Sequence, residues 1–297
     1  MVQFIAKLKM LIDNFKPELC NRFENRGERD GDSFDAKTAD NGDSIGKGFA
    51  EKNVPYLLTN SESYCKIRVE AINDRILQAC NISGKDPKEI TLVAVTKKVS
   101  LEQIFQVISF GVSDIAENKI QEAQTKIPEI SVRYGLVKKH FIGHLQTNKA
   151  KKAVELFDLI QSIDSIRIAQ SIDRAALEAG KIQECLVELK VSGEESKFGV
   201  KPEELNELVE YILSCKNIKL RGLMAMAPYF DEVENSRKYF REAKEVFENI
   251  KTTYKLADFN VLSMGMSADF EVAIEEGATL IRVGSGLFGE INGKQIK

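Results

Sequence analysis

The stretch Thr91–Lys98, TLVAVTKK, decides the fold. It is a nearly continuous apolar run that ends abruptly in two lysines and is followed at once by a helix start. A parallel strand buried on both faces reads this way when it delivers a polar side chain to the end of a sheet. Lys97 is the side chain offered at that end. Lys98 points to the other side of the strand and reads as a surface or supporting lysine. Taken alone, Lys97 has two readings: a nucleophilic amine that meets a carbonyl compound, or a charge that reaches solvent or an acid from a strand end.

Working outward, the same pattern recurs. Ser100 and Gln103 match a capping box, Ile104, Val107 and Ile108 form an apolar stripe, and Gly111 is a stop. Further strands are expected at Val112–Ala116, Lys139–Gly143, Phe157–Ser162, Glu184–Val191, Leu220–Met226, Asn260–Met264 and Leu280–Val283, with helices between them. Pro202 sits at a first helical position, and Ser267 is read as the cap of a short helix ending before Gly277. Eight strand-then-helix units predict a closed (β/α)8 TIM barrel of about 230 residues. An open doubly wound sheet is the alternative, because periodicity does not establish closure. No glycine-rich dinucleotide loop follows the first strand and no GxxxxGK[ST] motif occurs, which argues against nicotinamide cofactors and nucleoside triphosphates.

Upstream, a helix is expected from about Thr59–Ser61 to Cys80, with Val69, Ile72 and Ile76 on its buried face. Residues 21–50 are rich in Gly, Asp and Asn and read as disordered, so 1–58 is taken as an extension and 59–292 as the barrel domain. Phe4, Leu8, Leu11 and Phe15 share one helical face, but Lys7 and Lys9 interrupt any secretory signal. No apolar run approaches the roughly 18–20 residues that span a bilayer. A net charge of -3 gives no support to nucleic-acid binding. Five scattered cysteines, an odd number, suit reduced thiols in the cytoplasm, and a mitochondrial pool is left open.

In a parallel barrel, chemistry gathers at the C-terminal ends of the strands. Lys97, Asn118, His144, Ser263, Arg282 and Ser285 fall there. The stretch Leu262–Glu290 adds serines and glycines whose amides suit a dianion, with Gly284 and Ser285 after the last strand and Arg282 at its end. Ordinary glycine turns are the plain alternative. Gly143–Lys152 is a basic loop and Ser192–Gly199 a mouth loop. Glu188 and Glu271 have no spacing that specifies paired acid–base work. His140 and His144 lack a third ligand, so no metal is expected, and Met224 and Met226 read as packing.

In order and composition, AVTKK (94–98), AENKIQE (116–122), KHFIGHLQTNK (139–149), SGEESKFG (192–199), RGLMAM (221–226) and LSMGMSADFEVAIEEGA followed by IRVGSGLFG resemble the pyridoxal-phosphate homeostasis proteins, small relatives of the alanine-racemase N-terminal barrel domain. The resemblance covers roughly Ser61 to Glu290. It implies that Lys97 forms the internal aldimine with pyridoxal 5'-phosphate and that Asn118 lies near the cofactor. It also implies that Ser263 is on the phosphate side, that Arg282 faces the pyridine nitrogen, and that Gly284 and Ser285 cradle the phosphate. Ala116 stands where the family often has glycine. Full alanine racemases carry a second, β-rich domain that supplies a catalytic tyrosine, and no stretch after Gly289 has room for it. The resemblance therefore implies binding, buffering or delivery of the cofactor to apo forms of pyridoxal-phosphate enzymes, by a monomer or weak dimer, with no catalytic residue assigned. A weak amino-acid racemase and a cofactor-free scaffold are the alternatives.

Overall fold

The computed structural model describes residues 60–191 and 198–289. The extension expected over 1–58, the mouth-loop residues Ser192–Lys197 and the last eight residues lie outside the described residues.

Eight parallel strands close into a barrel in sequence order: β1 Thr91–Val95, β2 Asp114–Glu117, β3 Lys138–Phe141, β4 Leu159–Ile163, β5 Gln183–Leu189, β6 Ile218–Ala225, β7 Val261–Ser263 and β8 Leu280–Val283. β1 closes on β8 through the pairs Thr91–Leu280 to Ala94–Val283, so the open-sheet alternative is excluded. Helix α1 (Asn60–Ser83) precedes the barrel and runs three residues beyond the expected Cys80. The connections carry α2 Leu101–Ser109, α3 Ile120–Arg133, α4 Ala150–Leu156, α5 Ile166–Glu178, α6 Pro202–Ser214, α7 Arg237–Thr253, α8 Phe270–Glu275 and α9 Ser285–Phe288. Ser100 caps α2 by accepting from the Gln103 amide, and Pro202 opens α6, both as the sequence predicts.

Two apolar layers result from the two faces of each strand. Outward residues such as Ala94, Ile115, Val187 and Ile281 pack against the buried stripes of the helices. Inward residues Val93, Val95, Ala116, Leu159, Leu186, Met224 and Leu280 fill the barrel, Met224 packing as expected. Val69, Ile72 and Ile76 of α1 are buried in the outer layer. Among the described residues, no helix is long and apolar enough to cross a membrane, and no group of His, Cys, Asp or Glu has the arrangement of a metal site.

β1 ends at Val95, earlier than the expected Lys98. The cause is local. Lys98 has φ +59, outside any strand conformation, and its amide donates to Glu122 of α3 rather than to a neighbouring strand.

Candidate functional site

Lys97 lies two residues beyond Val95, the last residue of β1, where the chain leaves the barrel. It is half-buried and makes no hydrogen bond or ion pair to a described residue. Lys98 is exposed. The alternative of an acid-paired lysine therefore finds no acid among the described residues. Asn118 follows β2, half-buried, with a side-chain carbonyl that is shielded from water and has no hydrogen-bond partner among the described residues. Gly143, after β3, lies against the Asn118 backbone so closely that a Cβ there would collide with the Asn118 carbonyl. Its own carbonyl accepts from the Ser162 hydroxyl at 2.6 Å. Gly143 thus links the end of β2 at Asn118 to Ser162 of β4.

Below the mouth, the barrel interior is threaded by a chain of buried polar groups. Arg282 Nη1 donates to Ser263 Oγ (2.5 Å), and the Ser263 hydroxyl donates to Gln161 Oε1 (2.6 Å). Gln161 Nε2 donates to His140 Nδ1 (2.8 Å), and His140 Nε2 donates to Asp114 Oδ1 (3.0 Å). Every donor therefore points the same way, from a guanidinium to a carboxylate. Such a chain strengthens each of its bonds by polarisation. The direction is forced: reversing the Gln161 amide would leave the Ser263 proton without its acceptor in a fully buried position. His140 is thereby held as the Nε2–H tautomer. Arg282 Nη2 also donates to the Ala225 carbonyl (3.1 Å). His140, which the sequence offers only as a candidate metal ligand, and Gln161, in the middle of β4, are the residues that join β3 and β4 to the Ser263–Arg282 pair.

Electrostatics single out two further groups. Glu188 of β5 faces inward in register with Met224 and Ser263, is 4% exposed, and its carboxyl has no hydrogen-bond partner among the described residues. Burial pushes its carboxyl up to about 7, helped by the nearby Asp164 charge and opposed by Arg282. Burial brings Arg282 down to about 10, against the attraction of Asp269 and Glu188, so it still carries its charge at neutral pH. At the far end of the chain, burial alone would raise Asp114. The hydrogen bonds from His140 and Ser113 outweigh it and hold the carboxyl below its ordinary value.

After β7 and β8, the serines and glycines form a cradle. The amides of Gly284 and Gly286 both donate to Ser267 Oγ, each at 3.2 Å. Ser267 is therefore not the cap of α8. Asp269 occupies that position, and its side chain accepts from the Met266 amide (2.6 Å). Having accepted two N–H groups, the Ser267 hydroxyl keeps its own proton to donate, with no acceptor among the described residues. Ser285, half-buried, begins α9 beside it.

Other residues fall elsewhere. Glu271 pairs with Arg75 of α1 on the outside of the barrel. His144 stacks on Phe198 (centroids 3.9 Å apart) and places Nδ1 3.3 Å from Asp164. With Gln146, Asn148 and Arg167 they line an open cleft of about 740 Å³ whose walls do not include Lys97, Asn118, Ser263 or Arg282.

Residues 67–292 match the family described as alanine racemase, N-terminal domain. The chain is 40% identical over 226 residues to the pyridoxal phosphate homeostasis protein of Aquifex aeolicus, covering 75% of this chain and 96% of that one. The chain belongs to the pyridoxal phosphate homeostasis protein family. Within that family, PipY of Synechococcus elongatus, solved with PLP bound, matches at a TM-score of 0.65 and 32% identity over 73% of this chain and 100% of that one. An alanine racemase of Clostridium difficile matches at a TM-score of 0.58 and 14% identity over 79% of this chain and 58% of that one, a likeness of fold alone.

Proposed function

We propose that this protein binds pyridoxal 5'-phosphate at Lys97 and serves vitamin B6 homeostasis by holding and releasing the cofactor. The observation that carries the reading is Lys97 itself: a half-buried amine just beyond the C-terminal end of β1, with no acid partner among the described residues. The surrounding groups suit the cofactor's chemistry. Asn118 offers a shielded carbonyl that lacks a donor among the described residues. Ser267, its Oγ held by the Gly284 and Gly286 amides, and Ser285 beside Gly284 offer hydroxyl and backbone donors for a phosphate. Arg282, steadied by Ser263 and Ala225, keeps further N–H donors for the pyridine nitrogen.

When bound, the cofactor supplies an aldehyde open to a neutral amine and a phosphate dianion. Lys97 would provide the amine, the Ser267 cradle would orient the dianion, and Arg282 would donate to the ring nitrogen without giving up a proton. A guanidinium that stays charged is a poor proton source, so carbanion chemistry is damped. This favours storage over racemisation, in keeping with relatives named for homeostasis. The domain is assigned to 59–292, with apo forms of pyridoxal-phosphate enzymes as receivers, the chain acting as monomer or weak dimer. A cytoplasmic location suits its free thiols at Cys65, Cys80, Cys185 and Cys215. Titration of the purified chain with pyridoxal 5'-phosphate tests the reading. A saturable visible absorbance band at one equivalent is expected, and no band at any concentration refutes it.

A further inference from the structure

The segment that carries Lys97 is tied down on both sides by residues outside the proposed cofactor contacts. Thr96, just before it, is held at three atoms. Its amide donates to the Ala116 carbonyl (2.9 Å), its hydroxyl donates to Glu117 Oε1 (2.7 Å), and its carbonyl accepts from Lys126 Nζ (2.8 Å). Lys98, just after it, donates its amide to Glu122 Oε2 (2.9 Å) while sitting at φ +59, which a side-chain-bearing residue adopts only when its surroundings impose it. Lys126 Nζ is also 2.8 Å from Glu117 Oε1 and 3.5 Å from Glu122 Oε2, so a single ammonium joins the two acids. Glu117 ends β2, and Glu122 and Lys126 are one turn apart on α3, hence on one face.

We propose that Glu117, Glu122 and Lys126 form a positioning brace that aims Lys97 into the barrel mouth. It rests on the reading of Lys97 as the attachment residue. The two acids of the AENKIQE stretch then act on the site without touching the cofactor. A lysine side chain has four rotatable bonds, so its amine sweeps several ångströms unless the Cα–Cβ direction is fixed; holding both flanking peptides fixes it. The brace is under electrostatic load. Glu117 is fully buried and its Oε2 has no partner among the described residues, and burial raises its carboxyl against the pull of Lys126 and Thr96. Glu122 is held below its ordinary range chiefly by the hydrogen bond from the Lys98 amide.

Glu122 is partly exposed, so its substitution tests the brace without emptying the core. Glu122→Ala removes the acceptor for the Lys98 amide, and Glu122→Gln keeps one. The full chain is mixed with pyridoxal 5'-phosphate. The rate of the borohydride-reducible Lys97 adduct is followed, alongside competition by inorganic phosphate and the thermal midpoint without ligand. A misplaced reactive group costs one to two orders of magnitude in rate, so Glu122→Ala is expected to be slowed about tenfold or more. Glu122→Gln should recover to within about threefold, and phosphate competition should change by less than about twofold in both. A wild-type rate in Glu122→Ala overturns the brace, as does a Glu122→Gln variant equally slow. So does a loss of phosphate binding in step with the rate, which marks general disruption. A wild-type chain that forms no adduct at all overturns the attachment reading, and the brace with it.

Discussion

Substituting Glu188 by Gln isolates the electrostatic load of the barrel interior. The carboxyl titrates at about 7 in the fold against an ordinary value of 4.5, because it is buried, faces Asp164, and is only partly offset by Arg282. With the folded value raised, the folded state holds the proton more tightly than the unfolded chain does between those two values. This contribution to stability is fully present below pH 4.5 and is lost as the pH rises through about 7. The gap of about 2.5 units, at roughly 1.4 kcal/mol per unit, amounts to about 3 kcal/mol. Glutamine has nearly the shape of the neutral acid and does not titrate. The difference in unfolding free energy, Glu188→Gln minus wild type, should therefore grow by about 3 kcal/mol between pH 4.5 and pH 8. At about 2–4 °C per kcal/mol for a domain of this size, the midpoints separate by roughly 6–12 °C at the alkaline end. Urea titrations of both proteins across that range measure it. A difference that stays constant with pH, to within about 0.5 kcal/mol, would refute the assignment of Glu188 as a buried carboxyl titrating near neutrality.

The interior chain makes a second prediction. Gln161→Leu strips the His140 ring of its donor and the Ser263 hydroxyl of its acceptor, so a loss of about 2–5 kcal/mol is expected in urea denaturation, and a loss below about 1 kcal/mol contradicts the chain. For the phosphate cradle, Ser267→Ala should weaken pyridoxal 5'-phosphate binding by about tenfold, while leaving the affinity for phosphate-free pyridoxal nearly unchanged; equal losses for both ligands would place Ser267 away from the phosphate.

The barrel was legible in sequence because each strand is a short apolar run followed by a helix with its own cap or stripe. Lys97 was legible as a charge breaking such a run. What escaped was everything set by distant partners. Ser263 reads as a phosphate-side hydroxyl, yet its oxygen lies fully buried between Arg282 and Gln161, and Gln161 is 102 residues away in the chain. Ser267 looks like a helix cap, and only the closure of β8 beside β7 brings the Gly284 and Gly286 amides onto it. The early end of β1 depends on Glu122, 24 residues from Lys98. One signal is present in the sequence: Gln161 and Ser162 interrupt the apolar run of β4, and a buried amide demands partners on both of its ends.

The most direct test of the central claim is to incubate the chain with pyridoxal 5'-phosphate, reduce it with borohydride and map the modified peptide by mass. The account predicts a single cofactor mass on Lys97, and no stable adduct in Lys97→Ala. An adduct mapped to Lys98 or to another lysine, or one that persists at full yield in Lys97→Ala, would contradict it.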